Sequence, residues 1–457
     1  MRFIGRYYRI VGVFLIINNA EGIEDMCKER IVGIFFDGKN LNGLDLRGCL
    51  TINPGLGGSA YDLLTTGEML AGISGFKVFF YTVENQCLPE KIIQRGVKDE
   101  IEAIKAAKAD NVDVYIYNVS MKLRENFYET LNKLQISAIA WAHNYLDYRI
   151  IKAIRKCDAV KRIVFVGQQH YDAYVDDPIL EKATFIYLIV PRNDCTKRKL
   201  GEEKVVTYVG SLIKAKGFYI LAKNWKYILS EIPEAVLYVI GSGKLYDRTQ
   251  KLGTYGIAES KYECLFMKYL LDKNGNLMDS VRFMGILGRE KENIYEKTYV
   301  GVVNPSGVSE TFCLSGVEFA ARGIPVVTYK GYGLLDTVIP GVTGLTDKKG
   351  KKQAQYIVRL LKDKSENLDL GDGGKTYSRE HFSPNVIIQD WVKLIDEICS
   401  NQKPKFLFSG RNMHDDWKWL KYLNYRIHKM FPFLPKLSVC YGVSWVKVHV
   451  KMVLKMG

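Results

Sequence analysis

One stretch of the chain, residues 298–330, reads as a complete strand–loop–helix–strand unit. Residues 299–304 are a short β-branched run typical of a strand, and the turn-forming sequence Pro-Ser-Gly follows it. Apolar residues at helical spacing predict a helix over 311–322, with Ser309 as its N-cap. A second buried strand begins at 326–327. A strand, a helix and another strand in this order predict a parallel sheet.

The same alternation of elements runs through most of the chain. Strand-like runs at 31–36, 77–81 and 113–117 alternate with helical patterns, and the alternation resumes at 205–209. A chain of 457 residues is too long for one core and predicts two domains, with or without an appendage. The expected fold class is therefore α/β, with doubly wound parallel sheets.

Two carboxylates lie in the predicted helical unit, Glu310 at its start and Glu318 eight residues later. If both were helical, they would lie about 12 Å apart along the axis and near one face. The amides of the first turn would have no helical acceptor, and free N–H groups at the positive end of a helix dipole suit an anion. Those amides would belong to Thr311, Phe312, Cys313 and Leu314. On spacing alone, a solvated helix with two ordinary glutamates is the more frequent arrangement.

The residues around this pair carry a more specific pattern. The stretch NPSGVSETFCLSGVEFAARGIPVV contains P-S, then E-x7-E, then A-x-G-x-P-V-V, in this order. It resembles the signature of retaining glycosyltransferases of family 4, which have two Rossmann-like domains facing across a cleft (the GT-B fold). The resemblance covers about residues 31–400 and implies that Glu310 contacts the donor sugar and Glu318 the nucleotide ribose. It also implies a UDP- or GDP-linked sugar as donor substrate and no separate cofactor.

A glycine-rich loop precedes the first predicted helix, which runs from Ser59 to about Gly72. Its sequence GLGGSA, residues 55–60, formally fits the dinucleotide fingerprint G-x-G-x-x-A, but it lies about 16 residues beyond the preceding strand. It resembles instead the first-domain loop of the same transferases, in which Gly57 and Gly58 would let the backbone approach the donor diphosphate. A plain surface loop remains the alternative.

The start of the second domain resembles the family's phosphate clamp G-R-L-x-x-x-K-G. Gly210 and Lys216 match this pattern, and Lys216 would neutralise the diphosphate as a point charge. Ser211 stands where the family usually has an arginine, so we expect Lys214 or a residue elsewhere to replace it, or a weaker donor affinity. Gly243 closes a Gly-Ser-Gly loop after the next strand and is expected at the mouth of the cleft.

His143 follows the predicted strand at 137–142, and ligands of open α/β sheets lie at the carboxyl ends of strands. A lone histidine is more often structural, but the resemblance implies that this one contacts the donor sugar. The chain has no histidine pair at ligand spacing and no D-x-D triplet, so the sequence predicts no metal site.

The predicted domain organisation follows from the alternation and the resemblance. It comprises an N-terminal arm (1–30), a Rossmann-like acceptor domain (31–198), a Rossmann-like nucleotide-sugar-binding domain (199–376), a crossover helix back to the first domain (377–400) and a basic aromatic tail (401–457). Nine scattered cysteines without a C-x-x-C pair indicate reduced core residues in a cytoplasmic protein.

The tail carries much of the positive charge of the chain. The net charge is +15, and residues 403–457 hold 11 basic residues against two acidic ones, a net charge of +9. Residues 411–431 place tryptophans and aliphatic residues on a helical stripe surrounded by lysine and arginine. This pattern is typical of a peripheral helix on the anionic inner face of a membrane, where a glycan or polyprenyl-linked acceptor would lie, and we expect that position for the tail. A capping helix docked on the protein body fits the pattern equally well.

The resemblance therefore implies a retaining hexosyltransferase that acts in surface polysaccharide biosynthesis. A nucleotide-sugar epimerase or phosphorylase on the same fold is an alternative that would yield no larger product. A nucleic-acid-binding protein is a further alternative from the charge, but the basic residues cluster on one tail without a recognised nucleic-acid module. We expect no nucleic-acid partner.

Overall fold

The computed structural model describes residues 29–39, 41, 43–51, 53–119, 122–190, 198–246, 249–348, 350, 352–407, 417–434, 437–439, 441 and 442. The predicted N-terminal arm lies outside these residues except for its last two positions. Within the described part of the chain, no helix combines the length and the apolar character that a bilayer crossing needs.

The first domain is built on a seven-stranded sheet with the strand order β3-β2-β1-β4-β5-β6-β7, in which every paired strand is parallel. Its strands are β1 (Arg30–Phe36), β2 (Phe76–Thr82), β3 (Ile93–Gly96), β4 (Val114–Asn118), β5 (Ala138–Ala142), β6 (Val160–Phe165) and β7 (Ala183–Phe185). Its helices are α1 (Gly58–Ala71), α2 (Glu100–Ala109), α3 (Phe127–Leu134), α4 (Tyr148–Lys156) and α5 (Gln168–Asp172). A short 3₁₀ turn spans Pro178–Lys182.

The second domain is built on a six-stranded parallel sheet with the order β10-β9-β8-β11-β12-β13. Its strands are β8 (Lys204–Val209), β9 (Ala235–Ile240), β10 (Val281–Gly285), β11 (Thr298–Val302), β12 (Val326–Tyr329) and β13 (Gly344–Asp347). Its helices are α6 (Phe218–Glu231), α7 (Ser260–Met267), α8 (Lys291–Tyr295), α9 (Leu314–Ala321), α10 (Leu334–Thr337), α11 (Gln353–Lys362) and α12 (Lys364–His381). A 3₁₀ turn spans Lys214–Lys216.

Each sheet is apolar on both faces because helices cover both sides, as expected for parallel sheets. In β1 the run Val32–Phe36 is buried, and the even and odd positions contribute to different core clusters on the two faces. The strands of the second domain likewise divide between two clusters. The predicted fold class, two Rossmann-like parallel-sheet domains, is confirmed.

A helix near the end of the body, α13 (Pro384–Cys399), returns from the second domain to the first. Trp391 of this helix packs edge-on against Trp141 of β5, with ring centroids 4.6 Å apart. The Asp396 carboxylate accepts a hydrogen bond at 3.1 Å from Nε of Arg30. Pro384 stands at the first helical position, where its missing N–H costs no bond, so the crossing helix begins there, after α12 has ended.

The tail contributes one further helix in the described residues, α14 (Lys418–Met430). It lies against the first domain. Lys421 Nζ donates a hydrogen bond to the Ala173 carbonyl at 2.7 Å, and Asn424 Nδ2 donates to Asp176 Oδ2 at 2.9 Å. The side of α14 that carries Lys421 and Asn424 therefore faces the protein body.

Candidate active site in the interdomain cleft

The two sheets open toward a cleft at the carboxyl ends of their strands. In the second domain, β8 and β11 are neighbours at the centre of the sheet, and the chain adds strands outward from each of them. Ligands of open α/β sheets bind at such a switch point, because the loops that follow the two central strands diverge there. Lys216 lies in the loop after β8 and Glu310 in the loop after β11.

Lys216 and Glu310 form an ion pair on the floor of this cleft. Lys216 Nζ donates a hydrogen bond to Glu310 Oε2 at 2.8 Å, and Asn304 Nδ2 donates to the same oxygen at 2.7 Å. Burial alone would lower the pKa of Lys216, but the Glu310 carboxylate raises it above its usual value. Lys216 therefore stays charged in the cleft. Because Lys216 and Asn304 both donate to Oε2 of Glu310, its Oε1 remains able to accept a hydrogen bond from a ligand.

The loop from Asn304 to Glu310 is held in shape by the Asn304 side chain. Its Oδ1 accepts hydrogen bonds from Gly307 N and Ser306 Oγ, both at 3.0 Å. Ser309 has a φ of 53°, in the left-handed region, so the chain turns there instead of starting a helix. The N-cap predicted at Ser309 is therefore wrong.

The predicted start of the helix at residue 311 is also wrong, because α9 begins at Leu314 with Cys313 as its N-cap. The Glu310 carbonyl accepts a hydrogen bond from Gly333 N at 2.9 Å, a tertiary contact that takes this carbonyl out of any helix. Glu310 thus lies in a loop, and Glu318 alone of the pair is helical. The first-turn amides expected at residues 311–314 lie about three residues later, from Leu314 onward.

Glu318 is buried and forms an ion pair with a second lysine of the cleft, Lys291. Lys291 Nζ donates to both carboxylate oxygens of Glu318, at 2.9 and 3.0 Å, and the Tyr295 hydroxyl donates to Oε2 at 2.9 Å. Burial would raise the pKa of Glu318, but the charges of Lys291 and Arg322 lower it below its usual value. Glu318 is therefore ionised and paired with Lys291, and both residues line the cleft.

The glycine-rich loop of the first domain forms the opposite wall of the cleft. Asn53 Oδ1 accepts hydrogen bonds from Gly55 N at 3.0 Å and from Leu56 N at 2.7 Å, so these amides are already satisfied. Gly57 is the N-cap of α1 and Gly58 its first residue. The predicted helix after this loop is confirmed as α1. Its start faces the second domain: a Cβ added at Gly57 would lie 3.7 Å from the ring of Tyr246.

A close backbone approach joins the two central loops of the second domain. Gly217 has a φ of +68°, and a Cβ at this position would lie 2.6 Å from Ser306 N. Glycine is thus required for the β8 loop to reach the β11 loop and to bring Lys216 beside Glu310. Gly210 N donates to the Ile240 carbonyl at 3.1 Å, and Gly243 N to the Ile257 carbonyl at 2.9 Å.

His143 follows β5 as predicted, but its side chain is buried. Nε2 lies 3.5 Å from Oδ2 of Asp62 in α1, and the two side chains are 6% and 1% exposed. Burial lowers the pKa of His143 to about 3 and raises the pKa of Asp62 well above its usual value. The Thr311 hydroxyl donates to the His143 carbonyl at 2.6 Å, so the β11 loop closes over this strand end.

The structure brings most of the sequence-predicted site residues to one cleft of about 180 Å³. Those that line it are Gly58, Gly210, Lys216, Glu310, Phe312, Cys313, Leu314 and Glu318. Gly57, His143, Gly243 and Thr311 lie beside this lining and are not part of it.

Several lining residues were not predicted from the sequence, among them Asn53, Asn304 and Lys291. The two asparagines share a signal that could have identified them, since each opens an Asn-Pro turn with a glycine shortly after it. Lys291 has no such signal, because it stands in a charged run, Arg-Glu-Lys-Glu, that is typical of an exposed surface.

The cleft also lacks a recognisable metal centre in the residues described. No group of three or more histidine, cysteine, aspartate or glutamate side chains there is placed to hold an ion. Among the described residues that line the cleft, the charged ones are Lys216, Lys291, Glu310 and Glu318.

Comparison with known proteins points to one class of enzyme. Residues 192–377 match the family described as "Glycosyl transferases group 1". The chain is 28% identical over 208 residues to the capsular polysaccharide biosynthesis glycosyltransferase CapM of Staphylococcus aureus, a match that covers 45% of this chain and 49% of CapM. The chain thus spans about half the length of that relative.

Two solved structures share the fold over most of the chain. Sucrose-phosphate synthase from Thermosynechococcus elongatus matches with a TM-score of 0.58 and 18% identity, covering 82% of this chain and 100% of that one. The Anabaena protein HepE in complex with UDP and glucose matches with a TM-score of 0.55 and 14% identity, covering 80% and 99%. The chain therefore has the GT-B fold, and the similarity of residues 192–377 to group 1 glycosyltransferases supports a glycosyltransferase enzyme.

Proposed function

We propose that this protein is a retaining glycosyltransferase of family 4 that moves a hexose from a UDP- or GDP-linked donor to a glycan or polyprenyl-linked acceptor in surface polysaccharide biosynthesis. The observation that carries the proposal is the Lys216–Glu310 ion pair at the switch point of the second sheet. A cation for a diphosphate and a carboxylate for sugar hydroxyls stand side by side where an α/β sheet binds its ligand.

The donor would lie across the four charged side chains that the described lining contributes, Lys216, Lys291, Glu310 and Glu318. Lys216 and the first-turn amides of α9 would hold the diphosphate, since both offer positive potential to an anion. Glu310 would accept a hydrogen bond from a hexose hydroxyl, and Glu318 one from the ribose. The UDP and glucose bound to HepE support a UDP-linked hexose as the first donor to test.

The chemistry would be transfer of the hexosyl group from the diphosphate oxygen to an acceptor hydroxyl. Negative charge develops on the departing diphosphate, and a prearranged lysine and helix amides stabilise that charge in the transition state. These groups supply positive charge without an ion, so we propose that the reaction needs no metal. Chelation with EDTA should then leave the rate of donor turnover unchanged.

The tail supports a position on the cytoplasmic face of a membrane. Leu423, Ile427 and Met430 of α14 are 48%, 37% and 71% exposed, whereas Lys421 and Asn424 face the body. These three side chains keep more than a third of their surface exposed, which supports contact with a bilayer over a purely capping role for them. Further exposed aromatic and aliphatic residues follow them, namely Phe431, Phe433, Leu434 and Leu437.

Basic side chains surround this apolar surface. Lys418, Arg426 and Lys429 are exposed on α14. Each lysine or arginine near an anionic bilayer contributes about 1 kcal/mol, and the attraction is screened by salt. We propose that residues 403–457 hold the enzyme peripherally on anionic lipid, with a lipid-linked acceptor within reach of the cleft.

The test is turnover of a panel of UDP- and GDP-linked hexoses with a polyprenyl-linked glycan as acceptor. We expect release of one nucleoside diphosphate, a mass gain of one hexose on the acceptor, and the donor's anomeric configuration in the product by NMR. Glu310→Gln should fold normally and lose most of this turnover.

Other outcomes would replace the proposal. A converted nucleotide-sugar without any larger product would identify an epimerase, and release of a sugar phosphate would identify a phosphorylase. No turnover of any donor by the folded protein, in the presence of the acceptor, would contradict the proposal.

A further inference from the structure

The cleft needs more positive charge than Lys216 alone supplies. A nucleoside diphosphate carries at least two negative charges, and the family places an arginine where this chain has Ser211. Ser211 is 1% exposed, and its hydroxyl donates to the Ser242 carbonyl at 3.4 Å. It is neutral and occupied, so it cannot replace a guanidinium. Among the described residues that line the cleft, the cations are Lys216 and Lys291.

Lys214 is the nearer candidate in sequence, but the structure places it elsewhere. It is exposed at the start of the 3₁₀ turn Lys214–Lys216 and is not part of the cleft lining. Lys291 comes from the loop after β10, at the first position of α8, and is 5% exposed. A lysine this deeply buried is costly unless its charge is paired, as the charge of Lys291 is with Glu318.

The geometry around Lys291 leaves it able to bind one more anion. Its Nζ lies 2.9 and 3.0 Å from the two oxygens of Glu318, which account for two of the three donors of an ammonium group. Both residues line the same cleft as Lys216 and Glu310. The cleft thus holds two lysine–glutamate pairs, one in the β8 and β11 loops and one between α8 and α9.

We propose that Lys291 is the second diphosphate-binding cation of this cleft and takes the role that Ser211 cannot fill. Its third donor binds a phosphate oxygen, while Glu318, held by the other two, accepts a ribose hydroxyl on its free lone pairs. This assignment rests on the proposed function and adds to it a binding residue that neither the motif nor the clamp contains.

The experiment measures the affinities of UDP, GDP and the matching nucleosides for the wild type and three variants. The readout is the ratio of nucleoside Kd to diphosphate Kd, which isolates the contribution of the phosphates. Lys291→Met should lower this ratio about tenfold or more, the size expected for one lost charged hydrogen bond. Lys214→Met is the matched control and should leave the ratio unchanged.

The third variant controls for loss of folding, because Lys291→Met leaves the Glu318 carboxylate buried without a counter-charge. The double variant Lys291→Met/Glu318→Gln keeps this buried site neutral, and its diphosphate ratio should fall as far as that of the single variant. An unchanged ratio in the folded double variant, or an equal loss in Lys214→Met, would overturn the assignment of Lys291. A wild type that binds neither diphosphate would overturn the proposed function and the assignment together.

Discussion

Lys216 Nζ lies 2.8 Å from Oε2 of Glu310, although the two residues are separated by 94 positions in the chain. Each follows one of the two central strands of the second sheet, and Gly217 allows the two loops to touch. The pair places a group that suits a phosphate next to a group that suits a sugar hydroxyl. It is the arrangement from which the proposed donor site is built.

The first prediction concerns the phosphate side of this pair. Lys216→Ala should weaken binding of a nucleoside diphosphate by about 1.5–3 kcal/mol, because a charged hydrogen bond is lost. Binding of the nucleoside alone should change less, and isothermal titration of both ligands measures the difference. Equal losses for the two ligands would place Lys216 away from the phosphates.

The second prediction concerns Glu318, where the structure changes what its substitution should do. The ribose contact implied by the resemblance predicts that Glu318→Gln weakens donor binding more than it harms folding. Glu318 is 3% exposed and is the partner of buried Lys291, so Glu318→Gln leaves a lysine charge without compensation. The free energy of unfolding in urea should fall by about 3–5 kcal/mol.

A double variant separates the effect of the unpaired lysine charge from other effects of the Glu318 substitution. Adding Lys291→Met to Glu318→Gln removes the stranded charge, so the double variant should be more stable than Glu318→Gln alone. If Glu318→Gln and the wild type have the same urea concentration at the midpoint of unfolding, the ion pair does not stabilise the fold.

The third prediction is a pH dependence that originates at Asp62. Burial raises the pKa of Asp62 in the folded state above the usual value of 3.8, so the folded protein holds this proton more tightly than the unfolded chain. Its contribution to stability is full below about pH 3.8 and is lost as the pH rises. His143, whose pKa is lowered to about 3, stays neutral above that pH and offers no counter-charge.

Asp62→Asn removes this titration. The variant should therefore gain stability relative to the wild type at pH 8, and the gain should be smaller at pH 4, as measured by urea unfolding at both values. A loss of stability at pH 8 would instead indicate an ion pair between an Asp62 carboxylate and a protonated His143.

The fourth prediction concerns the exposed surface of the tail. Deleting residues 403–457 should release the protein from anionic vesicles and leave donor turnover nearly intact. A subtler variant, Trp419→Ser/Phe433→Ser, removes two side chains that are 68% and 79% exposed. It should weaken vesicle binding in a sedimentation assay without changing the unfolding temperature.

Tyr227→Ser is the matched control for this substitution, because Tyr227 is 43% exposed on α6 of the second domain. It should bind vesicles like the wild type, and binding of the wild type should fall as salt increases. If the truncated protein binds anionic vesicles as well as the full chain, the anchor lies elsewhere. Residues 1–17 then become the candidate, because three arginines precede an apolar run at 10–17 there.

The sequence predicts the fold well because its signals are local and repeated. Buried β-branched runs such as Val32–Phe36 alternate with helical patterns, and that alternation alone specifies parallel sheets. Lys216 and Glu310 are predicted from motifs that resemble those of the transferase family, and the structure places both in the cleft, in loops that follow the central strands β8 and β11.

The remaining features depend on tertiary contacts that no local pattern reveals. The start of α9 is shifted to Leu314 because Gly333, from a later loop, binds the Glu310 carbonyl. His143 is buried beside Asp62 of α1, which stands 81 residues earlier in the chain. Lys291 stands in a charged run that reads as surface, and its pairing with Glu318 arises from the packing of α8 against α9.

Hydrogen–deuterium exchange with and without UDP or GDP tests the central claim, a nucleotide-sugar site in the interdomain cleft, most directly. We expect one of the diphosphates to slow exchange in three segments, the first-domain loop at 53–60, the β8 loop at 210–218 and the β11 loop with α9 at 304–318. Exchange in α14 should not change. Protection confined to other segments, or no protection by either diphosphate at saturating concentration, would contradict the account.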